Sequence, residues 1–554
     1  MPKPKILMCS EASFLHSGYS TYAKEVLNRL YASDKYELAE FASYGVIGDS
    51  RDKNIPWKYY PNAVKETDPR FNEYNSNGEN AFGKWRFERV LLDFMPDIVF
   101  DIRDFWMNAY QRFSVLRPFY SWVVMPTVDS QPQQEEWLDV YMNADAVLSY
   151  SDWGGKVLMD QTNNRIRHKG SASPAVDLTT FRPIGLEAAR EKLNLPNSMK
   201  IIGSVMRNQK RKLIPELIQS MRILLDKLET QDKKLGENTY LYLHTSYPDA
   251  GWNLPNVLKE NNMGKRVLFT YFCKNCSQIH AHTFNHAVKH CPHCGQKTAT
   301  FPSVSDGIST DQLNSVYNTF DIYVQYAICE GFGMPQVEAG ACGIPIVSVN
   351  YSAMSDIVHL LDGCPVQPQT FFKEMETEAY RVYPNNDQLI FHLWNLLHLD
   401  REEHHKLRIK VRELTEKHFN WDATANTWMR VFDEVLANPN RRHWSQISSN
   451  YLNKLDINEF KKFNKSYEAM RYICEDRIGS QDLLNNMMTL NLLKYSDYGY
   501  TMNGMNIKKF GFQNVVDIYN KYMENQNLIK YAMSNRTVLN NEDYIRYANE
   551  RQRS

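Results

Sequence analysis

Residues 321–349 read DIYVQYAICEGFGMPQVEAGACGIPIVSV, and this stretch decides how the rest of the chain is read. The β-branched and aromatic run 321–325 predicts a short buried strand. Glu330 and the turn Gly331-Phe332-Gly333 come next. Glycines there open backbone conformations closed to other residues and let a ligand approach the main chain. Pro335 stands where a helix would begin and Gly343 where it would stop. A second buried strand is predicted over 344–349. Free N–H groups at such a turn, reinforced by a helix N-terminus, suit anionic or hydroxyl-rich ligands. Glu330 before the turn and Glu338 inside the helix add two carboxylates suited to vicinal hydroxyls. The plainer alternative is a buried strand–helix pair carrying two solvated glutamates.

The string EGFGMPQVEAGACGIPIV (330–347) resembles the E-x7-E motif of retaining glycosyltransferases of the GT-B fold. It is similar above all to glycosyltransferase family 4, whose pattern runs EGFG-P--EA-A-G-PV. The resemblance implies that the first glutamate and the glycine amides hold a donor sugar. Those roles fall on Glu330, Gly331, Phe332 and Gly333. It also implies that the second glutamate, Glu338, holds the ribose of the nucleotide.

A chain of 554 residues is long enough for two or three domains with full cores. The formal net charge is zero, so any attraction to nucleic acid or membrane must be local. No run of about 18 apolar residues is present, so no transmembrane segment is expected. The opening MPKPKILMCS lacks the apolar core of a signal peptide and reads as a first strand. Nine cysteines, four of them in one cluster, do not look like a secreted disulfide framework, and a cytoplasmic setting is expected.

Taken in order, KILMC (5–9) predicts a strand, SGYS (17–20) a turn, and 22–30 a helix, the order of a Rossmann-like half. Gly18 resembles the family's first loop, which normally carries a glycine pair facing donor phosphate and acceptor. An ordinary strand–helix turn is the other reading. Residues 45–90 show no clean periodicity. PDIVFDI (96–102) and SWVVMPTVD (121–129) predict further strands. Family members often have a histidine near the reacting sugar at the end of the latter, where this chain has Asp129. Asp129 reads either as a group with that role or as a loop cap.

SPAVDLTTFRP (173–183) resembles the family's interdomain segment and places a boundary near residue 178. KIIGSVM (200–206) then opens a second Rossmann-like domain and leads into RNQKRK (207–212). Arg207 and Lys212 keep the spacing of the family's R-x4-K. Two cations opposite a donor pyrophosphate would neutralise the charge building on the leaving group. In a dry site that is worth several kcal/mol, by analogy with roughly 3–4 kcal/mol for one oxyanion donor. A solvated basic turn is the alternative.

The segment 273–294 reads CKNCSQIHAHTFNHAVKHCPHC, two C-x2-C knuckles fourteen residues apart. This is zinc-ribbon spacing, and Cys273, Cys276, Cys291 and Cys294 are the expected ligands of one structural zinc ion. The five histidines among them (280, 282, 286, 290 and 293) are spare ligand candidates and otherwise read as solvated. The ribbon interrupts the family pattern, which resumes at 309–324. Residues 440–554 have no counterpart in the family.

The expected fold is therefore α/β with GT-B architecture, two Rossmann-like domains facing a cleft. Residues 1–178 would form the acceptor domain and 179–436 the nucleotide-sugar domain, with the zinc-ribbon insertion at 271–298. A mainly helical C-terminal extension would cover 437–554. The resemblance implies a retaining glycosyltransferase using a nucleotide-diphosphate sugar, with no catalytic divalent metal. A rival is an inactive sugar-nucleotide- or nucleic-acid-binding scaffold on the same fold. Between Glu260 and Asp306 there is no carboxylate, while Lys265, Arg266, Lys274, Lys289 and Lys297 lie beside Tyr271, Phe272 and Phe284. Such a basic, aromatic-bearing ribbon suits a nucleic-acid acceptor, a hydroxylated base in DNA, as known for viral glycosyltransferases of related fold. A glycan or lipid acceptor with a purely structural ribbon is the broader alternative.

Overall fold

The computed structural model describes residues 2–15, 17–114, 116–303, 307–439, 441–444, 501–502 and 505–506. The helical extension expected over 437–554 lies almost wholly outside the described residues. Contacts divide the chain into two compact units. One holds the residues up to Met125, Val140–Ala146 and those from Val431 on; the other holds Pro126–Asp139 and Val147–Arg430. Among the described residues no helix is long and apolar enough to cross a membrane.

The first sheet has seven strands: β1 (Lys5–Glu11), β2 (Glu37–Val46), β3 (Lys58–Ala63), β4 (Ile98–Asp101), β5 (Ser121–Val124), β6 (Ala146–Ser149) and β7 (His168–Ser171). Their order is β3-β2-β1-β4-β5-β6-β7, so direction of progress reverses beside β1, as in doubly wound folds. β1 pairs in parallel with β2 and β4. Helix α1 (Gly18–Ala32) follows β1 and buries Tyr22, Ala23, Val26, Leu27 and Leu30, an i, i+3, i+4 stripe. The stretch 45–90, aperiodic in sequence, holds β3 and short helical turns.

The second sheet has nine strands: β8 (Lys200–Val205), β9 (Thr239–His244), β10 (Val267–Cys273), β11 (Ile279–Thr283), β12 (Val288–Lys289), β13 (Ala299–Thr300), β14 (Ile322–Gln325), β15 (Ile346–Val349) and β16 (Cys364–Val366). Its order is β12-β13-β10-β9-β8-β14-β15-β16, with β11 added to β10. Every residue of β14 and β15 is buried, as expected of a parallel sheet covered on both faces. Helix α2 (Ile214–Gln231) has Pro215 in its first turn and covers the sheet with Leu217, Ile218, Met221, Leu224, Leu225 and Leu228. Helices α3 (Thr310–Tyr317) and α4 (Met334–Ala341) flank β14 in sequence. A separate hairpin pairs β17 (Pro368–Lys373) with β18 (Tyr380–Pro384).

Two details correct the sequence reading. Pro335 is the second residue of α4, not the first, because Gly333 caps the helix and Met334 begins it. The strand expected to reach Asp129 ends at Val124, which leaves Asp129 in the following loop.

Under the second sheet lies one buried ion pair. Arg190 donates to Asp321 at 2.8 Å, and the two side chains are 1 % and 5 % exposed. Asp321 also accepts from the Ile201 N–H, tying the start of β8 to the start of β14. Removing Arg190 leaves the buried Asp321 with the Ile201 N–H and the partly exposed Lys200 ammonium at 3.4 Å. Arg190→Ala is therefore expected to cost about 3–5 kcal/mol in urea denaturation; a loss below about 1 kcal/mol would show that Asp321 is satisfied without it.

Candidate active site

β8 and β14 are parallel neighbours, and the backbone beyond their C-terminal ends is stitched together. The Leu213 N–H donates to the Tyr326 carbonyl at 3.3 Å, and the Ile328 N–H to that of Arg211 at 3.0 Å. This brings 211–212 against 327–330. The Lys212 ammonium contacts Glu330 Oε1, and Arg211 Nη1 donates to Oε2 at 2.6 Å. Gln325 Nε2 donates to Oε1 at 2.9 Å, itself oriented by the Tyr323 hydroxyl at 2.6 Å. Glu330 is 5 % exposed and Lys212 7 %. Burial, then the nearby Arg211 charge, lowers the Lys212 pKa well below a free lysine's, with Cys329 opposing.

The glycine turn is sterically required. A Cβ on Gly331 would lie 2.3 Å from the Thr127 methyl group, and Gly333 has φ +97°. No side chain caps α4, so the turn presents its backbone. Within α4, Glu338 accepts from the Tyr317 hydroxyl at 2.6 Å and keeps part of its surface accessible. Burial pushes its carboxyl up to about 7, with the Tyr317 hydrogen bond opposing.

The two cations of the R-x4-K pair part company. Lys212 turns inward to Glu330, whereas Arg207, about half exposed, lies against Asp249 at 3.0 Å. Burial raises the Asp249 carboxyl, but hydrogen bonds from Arg207, Ser246 and the Ala250 N–H outweigh it and hold it below the ordinary range. The same loop grips Asn208: its amide donates to the Trp252 carbonyl and accepts from the Trp252 N–H, both at 2.8 Å. The Trp252 indole donates to the Lys212 carbonyl at 2.9 Å.

Asp129 accepts from Arg381 of β18 at 2.9 Å and from the Cys329 thiol at 3.4 Å, which places it beside the residue preceding Glu330. Arg381 also donates to Glu374 at 2.7 Å. Gly18, in the other compact unit, is the first residue of α1, and a Cβ there would meet nothing within 4 Å. The sequence reading missed Tyr317, Gln325, Asp249, Trp252 and Arg381. No motif marks them; all but Gln325, which lies five residues before Glu330, are defined by a partner distant in the chain.

The four cysteine sulfurs lie within 4.8 Å of one another. Cys273 and Cys294 Sγ are 3.6 Å apart, as are Cys276 and Cys291. A tetrahedral zinc with Zn–S of about 2.3 Å separates its sulfurs by about 3.8 Å, so the donor set fits. A disulfide would need about 2 Å. His280 is buried and stacked on Tyr271 rather than solvated, and burial first, then His293, His282 and Lys289, pulls its pKa down to about 4. The expectation that ribbon aromatics face a partner is corrected for two of them. Tyr271 is fully buried, and Phe284 packs on the core.

Residues 303–370 match the family described as glycosyl transferases group 1. Solved structures resemble most of the chain. Sucrose-phosphate synthase from Thermosynechococcus elongatus aligns at 16 % identity and TM-score 0.56, over 79 % of this chain and 100 % of that one. HepE from Anabaena in complex with UDP-glucose aligns at 14 % identity and TM-score 0.53, over 78 % and 99 %. A glycosyltransferase from Rickettsia africae aligns at 15 % identity and TM-score 0.52, over 79 % and 100 %. The fold is α/β of the GT-B type. A search of curated protein sequences gives no match.

Glu338 generates a test of the local electrostatics. Its folded-state pKa of about 7 exceeds that of an unfolded chain, about 4.3, so the folded chain holds a proton the unfolded chain has released. This contribution to stability is full below about pH 4 and is lost as pH rises through about 7. Between about pH 5 and pH 8 the wild type should therefore lose more melting temperature than Glu338→Gln. Parallel profiles would mean that Glu338 titrates as an ordinary carboxylate.

Proposed function

We propose that this chain is a glycosyltransferase that moves a sugar from a nucleotide-diphosphate sugar to an acceptor hydroxyl with retention of configuration. The observation that carries the reading is the buried Glu330 at the head of the glycine turn, held by Lys212 and Arg211 within the segment similar to glycosyl transferases group 1. Residues 1–178 take the acceptor and 179–436 the donor. Glu330 and the amides of Gly331, Phe332 and Gly333 hold the sugar, and Glu338 accepts hydrogen bonds from the ribose. Arg207, half exposed, faces the pyrophosphate and balances the charge that grows as the bond from the anomeric carbon to phosphate breaks, while Lys212, turned inward to Glu330, serves that charge from behind the carboxylate it holds. The acceptor oxygen bonds to the same face of that carbon, and its proton passes to the departing phosphate oxygen. Gly18 keeps two readings, a backbone position facing donor phosphate and acceptor or an ordinary strand–helix turn. Asp129 keeps two readings, a group near the reacting sugar or an anchor; its ion pair with Arg381 favours the anchor.

The nucleic-acid acceptor rests on Lys265, Lys274 and Lys297, which are exposed in a stretch without carboxylates. Their charge suits phosphate contacts. With Tyr271 buried, base stacking on it drops out of the argument, and a glycan or lipid acceptor fits the remaining observations equally well.

Arg207→Ala is the cleaner test of the site, since Arg207 is half exposed and its partner Asp249 keeps the hydrogen bonds from Ser246 and the Ala250 N–H. It should lower turnover by orders of magnitude at an unchanged melting temperature. Glu330→Gln leaves Lys212 buried without its counter-charge, so it should lose activity together with about 3–5 kcal/mol of stability. UDP-glucose, the ligand of HepE, is the first donor to try: it should raise the melting point and slowly release glucose without acceptor. A non-catalytic scaffold would show the first effect without the second, and near-wild-type turnover by Arg207→Ala would sink the assignment.

The proposal extends to one structural zinc ion on Cys273, Cys276, Cys291 and Cys294. Elemental analysis should find about one zinc per chain, and X-ray absorption should show sulfur-only coordination. No metal, or a nitrogen-rich shell, would rule it out.

A further inference from the structure

The ribbon lies far in sequence from the donor motifs, yet it shares the hydrophobic core of the nucleotide-sugar sheet. Cys273 is the last residue of β10, and Cys273, Cys291, Ala299 and Phe301 belong to the same buried cluster as Leu241, Leu243 and Val324. Phe284 of the ribbon and Phe301 just beyond it pack with Phe269 of β10 at ring-centroid distances of 6.0 and 5.4 Å. Against these rings stands Tyr247, in the loop after β9, 5.7 Å from Phe284 and 6.0 Å from Phe301. Tyr247 leads straight to the groups that hold the basic loop. The Ser246 hydroxyl donates to Asp249 at 2.5 Å, Asp249 pairs with Arg207, and Trp252 grips Asn208 and the Lys212 carbonyl.

We propose that the metal in the cysteine cluster positions Arg207, with Tyr247 as the positioning residue that transmits the ribbon's rigidity. This rests on the reading of 207–212 as the pyrophosphate loop and of the cluster as a zinc site. The physical reason is size. β11 ends at Thr283, just before Phe284, and β12 and β13 are two residues each, so the stretch 284–298 between the two rings has little regular structure of its own, and a bound metal ion supplies a cross-link. With the rings fixed, Tyr247 has a wall, and residues 245–252 can hold the Arg207 side chain and the backbone of 208–212 in one arrangement. A second contact runs in the same sense: Gln312 in the first turn of α3 donates to the Ser277 carbonyl in the first knuckle at 2.6 Å, and α3 carries Tyr317, the partner of Glu338.

Hydrogen exchange of the full chain reads the coupling directly. The Trp252 and Ala250 N–H groups donate to Asn208 and Asp249, so their protection reports the clamp. Stripping the metal with a thiol-compatible chelator should lower protection at both amides about tenfold or more, while β14 and β15 stay protected. In the zinc-loaded chain, Tyr247→Ala and Phe284→Ala should do the same, and Tyr247→Phe should keep wild-type protection. Stripping metal from Tyr247→Ala should add little, because both changes break one path. Unchanged protection in the metal-free chain, or independent losses that multiply, would overturn the proposal. If metal removal unfolds the whole sheet, Phe284→Ala and Tyr247→Ala with metal bound decide it alone, and wild-type protection in both overturns it. Failure of the donor reading has a separate signature: zinc-loaded wild type that gains no melting temperature from UDP-glucose while the exchange coupling persists.

Discussion

A carboxylate taken out of water costs several kcal/mol unless charge and hydrogen bonds surround it, and Glu330 is such a group. Lys212, 118 residues away in sequence, supplies the charge from a position that is itself buried. Without Glu330 the buried Lys212 loses its counter-charge, whereas Glu330 is also held by Arg211. The meeting of Lys212 and Glu330 requires that β8 and β14 be neighbours, that both strands end at the same level, and that the loops beyond them pair through 211–213 and 326–328. Gln325 and Ser352 then occupy further hydrogen-bonding positions on Glu330, at its carboxylate and its N–H. The sheet order of the second unit thus brings the two halves of this ion pair together. The glycine turn inherits its place from the same constraint.

Much of this was legible in the chain. The strands around the turn are fully buried apolar runs, and a parallel sheet leaves few other ways to use them. Glycines at 331 and 333 announce a turn whose packing and dihedral angles exclude side chains. The partners were not legible. Arg207 and Lys212 look equivalent at R-x4-K spacing, but one meets Asp249 and the other Glu330, a choice made by the 245–252 loop. Asp129 and Arg381 are 252 residues apart and belong to no shared motif. Pro335 was one position out because Gly333, in a left-handed conformation, can cap the helix itself.

The ribbon misled in an instructive way. Aromatic rings among lysines resemble a surface built to stack on bases. A ribbon of this size has no interior of its own, however, so Tyr271, Phe284 and Phe301 are drawn into the core of the neighbouring sheet. Composition reports that aromatics are present; only the fold decides which way they face. Lys289 illustrates the same point, its ammonium 4.9 Å from the Tyr271 ring centroid.

The pairing of β10 carries one more implication. β10 lies against β9 on one side through Val267–Phe269, and on the other is covered by β11 along Leu268–Phe272. An outermost strand with open N–H and C=O groups is a template for the strands of other molecules. The ribbon is therefore also the selvedge of the sheet, finishing a margin that would otherwise invite self-association. Excising it as though it were a detachable module would trade a finger for a sticky edge.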